Sequence, residues 1–134
     1  MTEKTLKQPD AGTLAALCVS SIENGKGENV ISIRITDMTV IADYFVLCTG
    51  NSDPHIKALS ERLKRDVSKE LGVKPRLDGV PASSWIVMDY GSVIVHILSP
   101  EMREHYNLES LWSDNPDKSA IAAVSEMQSS AGVE

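Results

Sequence analysis

The sequence predicts an α/β chain of the α+β kind, in which helices flank one mixed β-sheet. Apolar residues recur at alternating helical and strand spacings, in the order α-β-β-α-β-β-β-α. The 134 residues match the size of one domain. A hydrophobic fraction of 42% and a charged fraction of 24% are ordinary for a globular protein and exclude wholesale disorder.

The first helix and the first two strands are predicted from the spacing of apolar residues. Residues 11–23 are rich in helix formers with apolar side chains at helical spacing, and the glycines of residues 24–27 end this helix. Residues 31–35 alternate isoleucine with polar residues, which predicts a half-exposed strand. Residues 44–48 are continuously apolar, as in an inner strand that is covered on both faces.

The second helix carries the strongest local signals. Asp53 is predicted as its N-cap because a carboxylate can accept backbone N–H bonds, and Pro54 suits the first helical position. Gly72 is expected to end the helix in a left-handed conformation. Residues 73–78 then predict a short edge strand, because Pro75 has no N–H to donate to a second neighbour. The apolar stripe of the helix consists of Ile56, Leu59, Leu63, Val67 and Leu71.

A β-hairpin is predicted from residues 85–89 and 92–98, with Tyr90 and Gly91 as a two-residue turn. Glycine suits such a turn because it tolerates a positive φ. Residues 99–106 begin with serine and proline, which repeats the pattern of a cap followed by a first-turn proline. They predict a short helix after the hairpin.

Side-chain alternation divides the predicted hairpin into two faces, and in this register Trp85 lies opposite His96. The first face is entirely aliphatic and must be core: Ile86, Met88, Val93, Val95 and Ile97. The second face is mixed: Trp85, Val87, Asp89, Ser92, Ile94 and His96. Two interpretations of the mixed face are open. It is either a binding surface with aromatic anchors, or a layer covered by the C-terminal helices with Trp85 and His96 as a packed, hydrogen-bonded pair.

The boundaries predicted for the chain are a flexible N-terminus over residues 1–10, a single domain over 11–116 and a mobile acidic tail over 117–134. Thirteen Lys and Arg against nineteen Asp and Glu give a net charge of −6, and residues 98–134 hold seven acidic and two basic side chains. This balance argues against extensive direct binding of nucleic acid, which requires cations. The acidic end is either a solvated surface or one that meets a basic protein.

The sequence also predicts a cytoplasmic protein without membrane association. It contains no run of about 18 apolar residues, and its first ten residues are polar. Cys18 and Cys48 lie within apolar stretches, which predicts reduced, buried thiols. A disulfide between them is the alternative.

No enzyme, metal or cofactor is predicted. The chain has no nucleophile elbow, phosphate-binding P-loop or dinucleotide fingerprint, and its histidines and cysteines lack metal-ligand spacing. Asp78 and Asp89 each stand alone on a predicted strand, whereas two-metal phosphoryl transfer needs closely placed carboxylates. Residues 50–52 could bind an anion through exposed N–H groups, or they form an ordinary strand-to-helix turn.

Several short motifs follow one another at natural spacing between residues 11 and 114. They are Asp43 to Val46, Thr49 to Ser52 with His55, Trp85, Asp89 to Gly91, Val95 with His96, Arg103, Tyr106, Leu108 with Glu109, and Leu111 with Trp112. Each motif alone is weak, but the ordered set resembles the ribosomal silencing factor family, RsfS or Iojap. One departure is Ser92, at a position where the family often has an acidic residue.

The resemblance implies a nucleotidyltransferase-like fold without catalytic acids. It also implies binding to ribosomal protein fourteen of the large subunit, steric block of subunit association and repression of translation, with a homodimer when the protein is free. Carried over by position, the partner-binding residues would be Trp85, Asp89, His96, Tyr106, Leu108, Glu109 and Trp112. The alternative is a degenerate nucleotidyltransferase that binds a nucleotide at residues 50–52.

Overall fold

The computed structural model describes residues 10–34, 42–80 and 84–106, and the element order predicted from the sequence is confirmed. The elements are α1 (Ala11–Asn24), β1 (Glu28–Arg34), β2 (Tyr44–Thr49), α2 (Asp53–Leu71), β3 (Arg76–Val80), β4 (Trp85–Asp89), β5 (Val93–Leu98) and α3 (Pro100–Tyr106). The predicted tail over 117–134 and nearly all of the predicted N-terminal segment lie outside the described residues.

The five strands form one mixed sheet in the order β1-β2-β5-β4-β3. The central pair β2 and β5 is parallel, and the other three pairs are antiparallel. This confirms the predicted mixed sheet with helices. The nucleotidyltransferase-like relationship stays a prediction from the resemblance.

Strand β2 is an inner strand with both faces covered, as its continuous apolar sequence predicts. Val46 and Cys48 belong to the core on one face of the sheet, and Phe45 and Leu47 belong to the core on the other face. Because the hydrophobic effect drives both layers together over this strand, β2 is fixed between its two neighbours.

Helices α1 and α2 cover one face of the sheet, which we call the helix-covered face. The apolar stripes of both helices pack there, together with the aliphatic face predicted for the hairpin. Most of these side chains are buried, and Leu17, Leu71 and Ile86 are partly buried. The largest contributors are Leu14, Ile22, Leu59, Leu63, Met88 and Ile97. Among residues 10–34, 42–80 and 84–106, this face holds the larger hydrophobic core.

Both cysteines are free and buried in this core, as predicted, and the alternative of a disulfide is wrong. Burial raises the pKa of the Cys18 thiol to about 12. Burial also raises the pKa of the Cys48 thiol to about 12, against a smaller lowering by the Arg103 cation. Both side chains are therefore protonated and inert at neutral pH.

The N-cap of α2 is Ser52, so the prediction of Asp53 was wrong by one residue. Ser52 has an extended backbone, and its hydroxyl accepts a hydrogen bond from the backbone N–H of His55 at 3.2 Å. Asp53 lies within the first helical turn, where its carboxylate accepts a hydrogen bond from the Ser84 hydroxyl at 2.5 Å. The helix ends before Gly72, whose φ of 70° confirms the predicted left-handed stop.

Strand β3 begins at Arg76, whereas the sequence predicted a start at residue 73. Pro75 directly precedes the strand and cannot donate to the ladder, so pairing with β4 starts at Arg76 and continues through Val80. The strand lies at the edge of the sheet, as predicted.

The register of the β4–β5 hairpin differs from the prediction by two residues. Trp85 pairs with Leu98, and Val87 pairs with His96. The backbone N–H of Tyr90 donates to the carbonyl of Val93, so the turn residues are 91 and 92. Asp89 closes the turn by accepting from the Gly91 N–H at 2.7 Å, and Gly91 has a φ of 88°. Because a shift of two keeps each side chain on its face, the predicted division into faces survives.

His55 connects the end of α1 to the start of α2. Its Nδ1 accepts a hydrogen bond from the backbone N–H of Asn51 at 2.9 Å, so the ring proton of the neutral form lies on Nε2. Nε2 then donates to the carbonyl oxygen of Gly25 at 3.0 Å. The neutral imidazole satisfies both partners at once.

We expect His55→Ala to lower the free energy of unfolding by about 1 kcal/mol, because two hydrogen bonds between separate elements are lost at a site that water can reach. Lys57→Ala, on the exposed surface of the same helix, is the matched control. Urea unfolding monitored by circular dichroism at pH 7 measures both. Equal stability of the two variants would contradict the bridging role of His55.

Candidate functional site

The sheet face opposite the helix-covered face carries the mixed set predicted from the hairpin, and we call it the aromatic face. Its buried apolar side chains are Ala42, Phe45, Leu47, Trp85, Val87, Ile94 and Leu98, with Ile33 and Met102 packed against them. Residues from β1, β2, β4, β5 and α3 therefore build this second core together.

Trp85 and His96 form a hydrogen-bonded pair within the aromatic face. The Trp85 Nε1–H donates to His96 Nδ1 at 3.1 Å, although the two residues are diagonal rather than opposite neighbours in the ladder. Phe45 lies on the other side of the imidazole, with its ring centroid 5.3 Å from that of His96. The histidine is thus enclosed by one indole and one phenyl ring.

Burial leaves Trp85 and His96 inaccessible, with exposed fractions of 3% and 0%. Of the two interpretations of the mixed face, the packed pair matches this geometry. Both side chains are enclosed in the described structure, and whether a partner contacts them stays a prediction. The sequence could not settle this point, because the covering residues Phe45 and Met102 come from elsewhere in the chain.

The environment of His96 holds it neutral. Desolvation in the buried layer lowers its pKa from 6.5 to about 4. Because Nδ1 accepts from Trp85, the ring proton lies on Nε2, and this atom has no hydrogen-bond partner among the described residues. The buried imidazole therefore has one satisfied and one unsatisfied nitrogen.

Of the remaining predicted partner-binding residues, Asp89 and Tyr106 lie within the described chain. Asp89 is half-buried at the end of β4, and one of its carboxylate oxygens is used by the turn. Tyr106 is the last residue of α3. Leu108, Glu109 and Trp112 lie outside the described residues. The structure thus brings Trp85, Asp89 and His96 together on one face.

Arg103 is a structural anchor that the list of predicted site residues missed. Arg103 is 7% exposed, and one terminal nitrogen of its guanidinium donates to the Asn29 carbonyl at 2.6 Å and to the Thr49 hydroxyl at 3.0 Å. Asn29 lies at an irregularity in the β1–β2 ladder and has a φ of 50°. Arg103 therefore fixes α3 against these two strands, and with it the point where the chain continues past Tyr106.

The turn over residues 50–52 is occupied by internal hydrogen bonds. The N–H of Gly50 donates to the Leu98 carbonyl, and the N–H of Asn51 donates to His55. A Cβ at Gly50 would come within 2.5 Å of the Ile56 side chain, so the glycine permits close packing of strand and helix. Asp53 also adds negative charge at this end of α2. These features disfavour an anion site and favour the interpretation as an ordinary turn.

Within residues 10–34, 42–80 and 84–106, no three His, Cys, Asp or Glu side chains are grouped so that they could hold a metal ion. No helix in this part of the chain is long and apolar enough to cross a membrane.

The burial of His96 predicts a specific pH dependence of stability. Below pH 6.5 the unfolded chain binds a proton at this residue that the folded chain does not bind until about pH 4. As the pH decreases from 6.5 to about 4, the free energy of unfolding therefore decreases, and His96 accounts for about 3 kcal/mol of this loss. Replacing His96 with glutamine, which can still accept from Trp85, should remove most of that contribution.

Urea unfolding at several pH values between 7 and 4 measures this effect, with His105→Gln as the control because His105 is an exposed histidine. Comparison of the two variants cancels the carboxylates that titrate in the same range. A His96 variant with the same pH dependence as the His105 variant would contradict the lowered pKa of His96 in the folded protein.

Three comparisons relate this chain to known proteins. The family model described as "Ribosomal silencing factor during starvation" matches residues 8–133. The ribosomal silencing factor RsfS of Halalkalibacterium halodurans is 36% identical over 104 residues, which cover 77% of this chain and 88% of that protein. The mouse protein named "Mitochondrial assembly of ribosomal large subunit protein 1" is 30% identical over 101 residues, or 72% of this chain and 44% of its own length.

A crystal structure of a protein from Chromobacterium violaceum superposes on the chain with a TM-score of 0.71 and 25% sequence identity. The alignment covers 82% of this chain and 98% of that protein. The family match spans nearly the whole sequence, and the relative from Halalkalibacterium exceeds 30% identity over most of both chains. The chain therefore belongs to the ribosomal silencing factor family, RsfS or Iojap.

Proposed function

We propose that this protein represses translation by binding ribosomal protein fourteen of the large ribosomal subunit, where it sterically blocks association with the small subunit. The observation that carries the proposal is the match of the ribosomal silencing factor family to residues 8–133. The printed name of the mouse relative, which refers to the ribosomal large subunit, supports that subunit as the partner.

The proposed contact surface is the rim of the aromatic face together with α3 and the residues that follow it. Asp89, Tyr106, Leu108, Glu109 and Trp112 are the proposed contacts. Trp85 and His96 support them from inside, and Arg103 positions α3 against the sheet. A specific interface of standard size buries on the order of 1,600 Å² in total, which a rim and one helical segment can supply.

Charge favours a protein partner over direct binding to RNA for this surface. The chain has a net charge of −6, and Glu101 and Glu104 are exposed on α3. Acidic side chains attract the basic surface of a ribosomal protein and repel RNA phosphates. We therefore propose that extensive direct nucleic-acid contact is not part of the interaction.

The proposed mechanism is occlusion, without catalysis and without a cofactor. The occupied turn at residues 50–52 gives no support to the nucleotide-binding alternative. We propose that the protein acts in the cytoplasm, which the match to RsfS of the bacterium Halalkalibacterium halodurans supports. The free protein is proposed to form a homodimer through the same surface, so that dimerisation and ribosome binding compete.

Sedimentation with purified ribosomal subunits tests the function. We expect the protein to migrate with large subunits and not with small ones, and to reduce the fraction of joined ribosomes when both subunits are mixed. A pull-down with isolated ribosomal protein fourteen tests the partner. Unimpeded subunit joining at saturating protein would overturn the proposed function, and binding to large subunits without capture of ribosomal protein fourteen would overturn the partner.

Tyr106→Ala and Trp112→Ala are each expected to weaken binding to large subunits by about 2 kcal/mol, because aromatic anchors dominate interface energies. Glu70→Gln on the exposed surface of α2, outside the proposed contact surface, is the control, with an expected change of less than about 0.5 kcal/mol. Binding isotherms from fluorescence anisotropy of the labelled protein provide the values. Unchanged affinity in a folded aromatic variant removes that residue from the interface.

Binding should also weaken between low and high salt if charge pairs steer the encounter, because salt screens exposed charges. The same anisotropy titration at two ionic strengths measures this effect. Salt-independent binding would indicate an apolar interface.

A further inference from the structure

A groove of about 710 Å³ lies between α2 and the β3–β4 edge of the sheet. It is on the helix-covered side of the molecule, whereas the proposed ribosomal surface lies at the aromatic face and α3. The apolar floor includes Pro54, Ile56, Leu77 and Ile86. At one end the groove reaches Ser84 and Trp85, where β4 begins.

Leu77 is exposed in this groove because the helical layer does not extend over β3. Leu77 pairs with Met88 in the sheet, so the two side chains share a face. Met88 is fully buried beneath the helices, yet Leu77 is 53% exposed. Among the residues that the structure describes, Leu77 is the one large apolar side chain that is exposed.

The α2 wall of the groove carries an alternating row of charges. Asp53, Lys57, Glu61 and Lys64 line it, and all four are exposed. The Asp53 carboxylate already accepts a hydrogen bond from the Ser84 hydroxyl, so Lys57, Glu61 and Lys64 are the charges left for a ligand. No ion pair joins any of them to another described residue. On a helix the positions from Lys57 to Lys64 span roughly 10 Å, and the lined part of α2 from Asp53 to Lys64 is roughly 16 Å long.

We propose that this groove binds an extended polypeptide segment of a protein partner, with apolar side chains over Leu77 and Ile86 and an acidic-basic-acidic row facing Lys57, Glu61 and Lys64. In an extended chain alternate side chains point to opposite sides, and residues two apart are about 6.6 Å apart. Five residues therefore present three charges to the wall of α2 and two apolar side chains to the floor.

The charge row also discriminates among possible occupants. Glu61 between the two lysines would repel a continuous run of phosphates, which disfavours a nucleic acid. A second copy of this chain would oppose Leu77 to Leu77 but provides no reversed charge row at that edge. A separate polypeptide satisfies both the apolar floor and the alternating wall.

The probe for this proposal is the peptide acetyl-Glu-Leu-Lys-Leu-Glu-amide, and its matched control is acetyl-Lys-Leu-Glu-Leu-Lys-amide. Titration of the isotope-labelled protein, followed by amide chemical shifts, should give a dissociation constant on the order of 1 mM or lower for the probe. Shifts are expected around residues 57–64, 76, 77 and 84–86. The control peptide should bind at least about fivefold more weakly.

This preference opposes the overall charge of the protein. The chain carries −6 and would attract the cationic control peptide if binding depended on net charge alone. The triple variant Lys57→Glu, Glu61→Lys, Lys64→Glu reverses the row and should reverse the preference. Leu77→Ser should weaken binding of the probe by about fivefold, because the buried apolar contact is lost, whereas Leu77→Met should retain it.

The proposal is overturned if neither peptide causes shifts in the groove, if the control peptide binds as well as the probe, or if a short oligouridylate binds there more tightly than the probe. Sedimentation of the Leu77→Ser variant with large ribosomal subunits separates this proposal from the proposed function. That variant should still bind the subunits, so the failure of one proposal leaves the other intact.

Discussion

Burial of the central strand pair on both faces is the constraint on which the rest of the structure depends. Strands β2 and β5 are parallel neighbours in the middle of the sheet, and all six residues of β5 are buried. A parallel pair of this kind requires a layer on each side. Helices α1 and α2 supply one layer, and α3 contributes Met102 to the other. The two layers then give the molecule two chemically different sides.

The aromatic face shows how this constraint shapes a surface without exposing its largest rings. His96 lies on β5, so its position in the central pair places it in the interior. Its neighbour Trp85 satisfies one ring nitrogen, and desolvation keeps the imidazole neutral. A buried polar pair is costly unless its hydrogen bond is well aligned. The bond between Trp85 and His96 therefore favours one relative position of the two strands that carry them. The same strand β4 carries Asp89 at its end, so the position of β4 also sets the position of Asp89.

Much of the fold could be predicted from the sequence because its signals are periodic. The order of elements, the inner strand, the left-handed Gly72 and the two faces of the hairpin all follow from spacing that a single strand or helix reveals. The wrong predictions, the N-cap of α2 and the hairpin register, concern positions where two alternatives fit the same residue pattern. Ser52 and Asp53 are adjacent and both are good caps, and a register shift of two residues leaves the hairpin faces unchanged.

The candidate site was less predictable because its important relationships are long-range. Arg103 reaches Asn29 across 74 positions of sequence, and no local pattern indicates that contact. The burial of Trp85 likewise depends on side chains from other elements. The family resemblance supplied both residues as members of an ordered motif set, but motif membership does not separate a contact residue from a supporting one. Burial and hydrogen bonding show only which of these side chains are enclosed.

The asymmetry of the helical layer explains why a second surface can exist on so small a protein. Two helices cover the strands nearest to the parallel pair, while β3 extends the sheet beyond their reach. Leu77 on β3 lies on the same face of the sheet as the buried Met88, but it is exposed to solvent. The apolar face that forms the core therefore extends to an exposed apolar edge. Exposed apolar surface favours association, and the charges on α2 restrict which segments can approach it. The two proposed binding surfaces therefore lie on opposite sides of the sheet.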